Sequence, residues 1–281
     1  MQRQVNFSRT LLLGVLFMAT IASRVYSLSQ NYPGQYQEVP SVKTVIPKIY
    51  YPYQRPSIPV KRSYLTVLVG DSMVAALGIN ANRLRLDLID YYPAHEFVNY
   101  NYGFGATNIL SVPDRLNKQT TYLGETFPPI IEQTVDLVIF ESFAYNPLSQ
   151  FSLAEGLSKQ TEILDSSIKS VIDRHPGTVV AIMTPIAPSE EYFAKGIYDL
   201  KQEVRKQWVD ERVAYIKNAI EFALKNNIPL INVYEKSLTA EGKANLKYIN
   251  PNDYIHPSKE GILLTSKTIA DYIYQNQIFQ E

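Results

Sequence analysis

The chain has 281 residues, 46% of them hydrophobic, with 27 basic and 27 acidic side chains and no cysteine. That length fills the core of one sizeable domain with extensions, and the balanced charge leaves no basic footprint for a nucleic-acid partner. A chain without cysteine has no disulfide, no thiolate metal site and no thiol nucleophile, so nucleophilic chemistry falls to oxygen or lysine.

Residues 1–27 have the layout of a targeting segment: Arg3 and Arg9 lead into an apolar run over 11–22, and a short stretch ends at Ser27. The run is shorter than the roughly 20 apolar residues of a spanning helix, which favours a cleaved signal peptide. Arg24, directly behind it, also suits a retained membrane anchor. Either arrangement places the remainder outside the cytoplasm, secreted or tethered. Over 28–62 the pattern changes to tyrosine, glutamine and the prolines Pro33, Pro40, Pro47, Pro52, Pro56 and Pro59. Proline fixes φ and removes an N–H, so this stretch is expected as a linker or a strap on the domain. Tyr50, Tyr51 and Tyr53 either pack such a strap down or offer rings to a sugar.

From 63 to the end, short β-branched runs alternate with longer helical patterns. Strands are expected over 64–69, 96–100, 135–140, 178–183 and 229–233, and helices over 74–92, 108–118, 153–174, 192–225 and 259–275. Strands apolar on both faces belong to a parallel sheet covered on both sides. The expected fold is therefore α/β: a three-layer α/β/α sandwich with a doubly wound, mainly parallel five-stranded sheet. The stretch 189–227 exceeds one ordinary helix, so Gly196 is expected to divide a cap-like excursion from a helix over 213–225.

In such a sheet, ligands bind beyond the carboxyl ends of the strands. There the first strand ends in Gly70-Asp71-Ser72, which sets Ser72 at a helix N-terminus, where free N–H groups favour developing negative charge. The second ends in 101–107, a turn with Gly103 and Gly105, and the third runs into Glu141-Ser142-Phe143-Ala144-Tyr145-Asn146. A serine nucleophile needs a base, and the chain has 3 histidines. His95 and His175 precede strands and fall at the wrong edge, which leaves His256 in the loop before the last helix. Asp253, three residues earlier, can hold its Nδ1–H and leave Nε2 for the serine proton. Each piece also has a plain reading, since Gly-Asp-Ser occurs in ordinary loops and Asp-x-x-His in ordinary turns.

Together these residues resemble the SGNH hydrolases, also called GDSL esterases and lipases. "VLVGDSM", "VNYNYGFGATNI", "DLVIFESFAYNP" and "NPNDYIHPSKEG" are similar to the family's four blocks. The resemblance implies a flavodoxin-like fold, Ser72 as nucleophile, His256 as base and Asp253 as its orienter. It also implies an oxyanion hole from the N–H groups of Ser72 and the second block with the Asn146 amide. Two departures stand out: Ala106 occupies the usual glycine position of the second block, leaving Gly105 and Ala106 as alternative donors, and the third block reads Ala144-Tyr145-Asn146-Pro147 for Gly-x-Asn-Asp.

The expected activity is hydrolysis of acyl esters, acetyl above all, on carbohydrate or cell-envelope polysaccharide. Tyr102, Phe104 and Tyr145, with Phe143 beside them, are expected to line the substrate site or to pack the edge of the core. A non-catalytic glycan-binding surface module and a sugar O-acyltransferase are the alternatives. No cofactor is expected, and the dispersed histidines offer no metal site.

Overall fold

The computed structural model describes residues 53–280. The targeting segment and the strap as far as residue 52 lie outside the described residues. Among the described residues no helix is long and apolar enough to cross a membrane.

Five strands form one parallel sheet in the order β2-β1-β5-β6-β7: β1 (Ser63–Gly70), β2 (Glu96–Gly103), β5 (Leu137–Glu141), β6 (Val179–Thr184) and β7 (Leu230–Asn232). The architecture is the expected doubly wound α/β sandwich. Side chains alternate across a strand, so the apolar runs divide between two cores. Leu68, Leu137, Ile139 and Ala181 enter one, against α2 (Asn82–Tyr91) and α7 (Lys259–Gln275). Val67, Val69, Val138, Phe140 and Ile182 enter the other, against α3 (Val112–Asn117), α4 (Leu153–Arg174) and α5 (Gln202–Lys225). Each fully buried aliphatic side chain of this kind stabilises by about 1.5–3 kcal/mol relative to exposure, which is why the inner strands β5 and β6 carry almost no polar interruption, whereas the edge strand β2 carries Glu96, Asn99 and Asn101.

Helices α4 and α7 start and stop where the periodicity sets them. Ser152 and Glu155 close a capping box at the head of α4, and Ser258 caps α7 through the Gly261 N–H at 3.1 Å. The pattern expected over 74–92 is instead broken into α1 (Ser72–Ala75) and α2. The break falls where Gly78 (φ 81°) and Ala81 (φ 43°) turn left-handed, and Asn101 Nδ2 donates to the Val74 and Gly78 carbonyls that the break exposes, both at 2.8 Å. Gly196, at φ 89°, does sit in a non-helical excursion, but the following helix begins at Gln202 rather than at 213. A short helix α6 (Val233–Lys236) follows β7.

A two-stranded hairpin, β3 (Thr120–Tyr122) and β4 (Glu125–Phe127), stands apart from the main sheet and was not expected. Its strands are too short to alternate visibly, and its turn is made by Leu123 (φ 51°) and Gly124 (φ 85°), both left-handed as a two-residue hairpin loop requires. Residues 53–62 form no helix or strand and lie along the domain. Tyr53 is buried, and its hydroxyl accepts the Val180 N–H at 2.8 Å, a group the short β7 does not reach.

Candidate active site

Three crests and one loop meet around Ser72. Where β1 ends, a side chain on Gly70 would lie 2.2 Å from Val74 Cγ2 and 2.9 Å from Glu141 Cβ, so only glycine lets the first and third crests close up. Asp71 then caps the one-turn α1, with Oδ1 accepting from Met73 N at 2.8 Å and Oδ2 from Asn146 Nδ2 at 2.8 Å. Asn146 is thereby carried to the start of α1 from the third crest. The Ser72 N–H donates to no group among the described residues.

The second crest arrives from the other side. A Cβ on Gly105 would lie 3.7 Å from Ser72 Cβ, and the Gly105 N–H donates to the Tyr122 hydroxyl at 2.8 Å. Ala106, at φ 58°, occupies the left-handed region, and its N–H has no acceptor among the described residues. Of the two donors left open by the sequence, Gly105 is therefore occupied and Ala106 is free.

His256 comes from a loop that closes on itself. Asp253 Oδ1 accepts the N–H groups of Ile255 at 2.8 Å and His256 at 3.0 Å, and Oδ2 accepts the imidazole Nδ1–H at 2.9 Å. Asn250 N donates to the His256 carbonyl at 2.8 Å, and Ile249 bridges to Pro257. Burial pushes the Asp253 carboxyl up, but the His256 bonds and the Ile255 N–H outweigh it and hold the group below the ordinary aspartate value. The His256 side chain is 36% exposed, and its field reaches Asp71. Ser72 Oγ and His256 Nε2 are not bonded to each other in this structure; such bonds commonly tighten only with substrate present. The other histidines are tied elsewhere, His95 Nδ1 to the Lys61 carbonyl at 2.6 Å and His175 Nε2 to the Ile131 carbonyl at 2.7 Å.

Beneath the crests lies a polar cluster that the sequence did not single out. Arg115 of α3 is buried, donating from Nη1 to the Gly70 and Tyr102 carbonyls, both at 2.6 Å, and from Nη2 to Ser111 Oγ at 2.7 Å and to Thr107 Oγ1. Its guanidinium lies 4.3 Å from the Phe104 ring centre and 5.4 Å from that of Phe143. Burial lowers the guanidinium to about 10, against the opposing pull of Asp71, Tyr122 and Glu141. It remains charged at neutral pH. Glu141 is fully buried and accepts from Ser142 Oγ at 2.7 Å and Phe143 N at 2.8 Å. Burial first, and the charge of Asp71 second, hold its carboxyl well above the ordinary glutamate value. No sequence signal marked Arg115, which reads as one basic residue of a short helix.

The rings expected to meet substrate are packed away. Tyr102, Phe104, Phe143 and Tyr145 are all buried, with the Tyr102 hydroxyl donating to the Pro128 carbonyl at 2.7 Å and that of Tyr145 to the Ile186 carbonyl at 3.1 Å. Their side chains build the cores, so the core-packing alternative describes them and no ring face is left for a ligand.

No family model matches the sequence, and no curated protein matches it either. Solved structures do. A lipase/acylhydrolase from Enterococcus faecalis is similar over 78% of this chain and 100% of its own, at 18% identity and a TM-score of 0.53. A GDSL-like lipase from Bacteroides thetaiotaomicron is similar over 78% of this chain and 92% of its own, at 15% identity and a TM-score of 0.51. An acetyl-xylooligosaccharide esterase from Geobacillus stearmophilus covers 77% of this chain and 96% of its own, at 15% identity and a TM-score of 0.51. The fold is that of the GDSL/SGNH lipases and esterases. The carboxyl ends of the strands are where this chain brings Ser72, Ala106 and Asn146 together, and the charge of His256 is felt there at Asp71.

Proposed function

We propose that the protein is a serine ester hydrolase acting outside the cytoplasm. The observation that carries this reading is the His256–Asp253 pair: Nδ1 is engaged at 2.9 Å, Nε2 has no hydrogen-bond partner among the described residues, and the charge of the ring is felt at Asp71, next to Ser72. Ser72 Oγ attacks the ester carbonyl carbon while His256 Nε2 takes its proton, and the free N–H groups of Ser72 and Ala106 with the Asn146 amide receive the oxyanion. As the intermediate collapses, the bond to the alcohol breaks and His256 returns the proton to the leaving oxygen. Water, activated by the same imidazole, then frees the acid and restores Ser72. Asp253 stays ionised throughout, holding the ring in the required tautomer.

The substrate we propose is a short acyl ester, acetyl above all, on a carbohydrate or envelope polysaccharide. Support comes from an acetyl-xylooligosaccharide esterase among the proteins of similar fold, together with the targeting segment read at residues 1–27. The test is hydrolysis of p-nitrophenyl acetate by wild type beside a folded Ser72→Ala variant. A loss of about 10⁴-fold or more is expected. Turnover that survives Ser72→Ala overturns the reading, and a strong preference for long-chain esters overturns the proposed substrate.

A further inference from the structure

Ala106 presents a difficulty for the hole that the hydrolase reading requires. Its N–H is the free donor of the second crest, yet it sits on an alanine at φ 58°, a conformation that L side chains other than asparagine and aspartate rarely hold. Something outside the turn has to keep it there. The peptide between Phe104 and Gly105 is gripped at both of its polar groups: Thr107 Oγ1 donates to the Phe104 carbonyl at 2.5 Å, and the Gly105 N–H donates to the Tyr122 hydroxyl at 2.8 Å. Thr107 is itself held by Arg115.

Tyr122 is well placed for this duty. It ends β3, directly before the tight turn of the hairpin, and its ring stacks on Phe104 at 4.7 Å and 15°. Phe104 carries Arg115 at 4.3 Å. The three groups anchor the phenol oxygen at a fixed point one peptide upstream of the Ala106 N–H and beside Ser72.

We infer that Tyr122 is a positioning residue for the oxyanion hole: its hydroxyl, by accepting the Gly105 N–H, holds the left-handed Ala106 so that its N–H faces the reacting carbonyl. This rests on the hydrolase reading. Tyr122 acts through the backbone and does not itself touch the reacting atoms.

The test is Tyr122→Phe, which keeps the stacked ring and removes only the acceptor. The expected kcat on p-nitrophenyl acetate is roughly 10- to 100-fold lower, the range a small misplacement near the chemistry produces, with KM within about twofold and Tm nearly unchanged. Gly105 should also lose amide-exchange protection, a readout independent of turnover. Adding Ala106→Gly should recover most of the lost kcat, because glycine holds φ > 0 without help. A kcat for Tyr122→Phe within twofold of wild type, while Ser72→Ala abolishes turnover, overturns the positioning role and leaves the hydrolase reading standing. A kcat loss that Ala106→Gly does not relieve also overturns it. Turnover indifferent to Ser72→Ala removes the hydrolase reading, and the positioning role falls with it.

Discussion

The loop that carries His256 and the crest that carries Ala106, the two regions the proposed hydrolysis needs beside Ser72, are built in opposite ways. The loop's hydrogen bonds join mostly partners close in sequence: Asp253 grips an imidazole three positions on, and the backbone bonds run mainly between 249 and 257, with one reaching in from the Ala194 N–H to the Tyr254 carbonyl at 3.4 Å. The crest depends on distant ones. Tyr122 reaches Gly105 across 17 positions, Arg115 reaches Gly70 across 45, and Asn146 reaches Asp71 across 75. A locally closed turn keeps its shape when one catalytic side chain is altered, whereas a crest assembled from remote elements couples its geometry to the fold. Substitutions on the loop should therefore cost activity alone, and those on the crest should cost activity and stability together.

The largest effect that separates the two sides is expected from Asp253→Asn. The asparagine keeps the size of the side chain but stabilises the wrong imidazole tautomer, so kcat should fall on the order of 10⁴-fold. Tm should move little, because the Oδ1 bonds to the Ile255 and His256 N–H groups can persist. A large fall in Tm would show that the loop is not the self-contained unit described above. On the crest side, Asn146→Ala should cost about 10²- to 10³-fold in kcat as one oxyanion donor is lost. It also strips buried Asp71 of a hydrogen bond, for which about 1–3 kcal/mol of stability should go as well. A thermal melt beside the kinetics checks both halves, and an unchanged Tm would break the contrast.

The same division explains what could be read from the sequence. The five strands, the helices α4 and α7 and the Asp-x-x-His turn follow from periodicities and spacings contained in a few consecutive residues. Placing Ser72 and Asn146 at strand ends needed only the sheet. The roles of Tyr122, Arg115 and Glu141 were out of reach because each depends on a partner fixed by tertiary packing, and the residues around them carry no unusual pattern. For Tyr102, Phe104 and Tyr145 the substrate and core-packing readings stayed open for a related reason. An aromatic residue beside a site reads the same in sequence whether its ring faces solvent or the core. Here the cores on either side of the sheet claimed them all.

Glu141 offers a smaller test of how firmly the crests are coupled. Its carboxyl titrates well above the glutamate reference of 4.5, so the folded protein keeps a proton that the unfolded chain gives up as pH rises past that value. With fewer protons bound in the unfolded state, stability falls as pH increases, until the folded group also ionises. Glu141→Gln removes that dependence. Its amide can still accept the Phe143 N–H, and the Ser142 hydroxyl can turn to accept in its place. The Tm of wild type relative to Glu141→Gln should therefore drop as pH rises from 4.5 to 7. Parallel melting curves across that range would show that Glu141 ionises normally and that the crests pack less tightly than the geometry indicates.

The smallest effect isolates the strain itself. Left-handed alanine costs about 1–2 kcal/mol; glycine removes that strain but forfeits about 0.4–1 kcal/mol to the greater freedom of its unfolded chain. Ala106→Gly, with Tyr122 intact, should then raise Tm by about 1–4 °C while kcat stays within twofold, since the hydroxyl still fixes the Gly105 N–H. The loop has a left-handed residue of its own in Tyr254 at φ 52°, whose ring stacks on Tyr192 at 5.2 Å. Glycine there would relieve the same backbone strain but lose the ring contact, so Tyr254→Gly should lower Tm where Ala106→Gly raises it. If both substitutions shifted Tm in the same direction, backbone strain would not be what distinguishes the remote crest from the local loop.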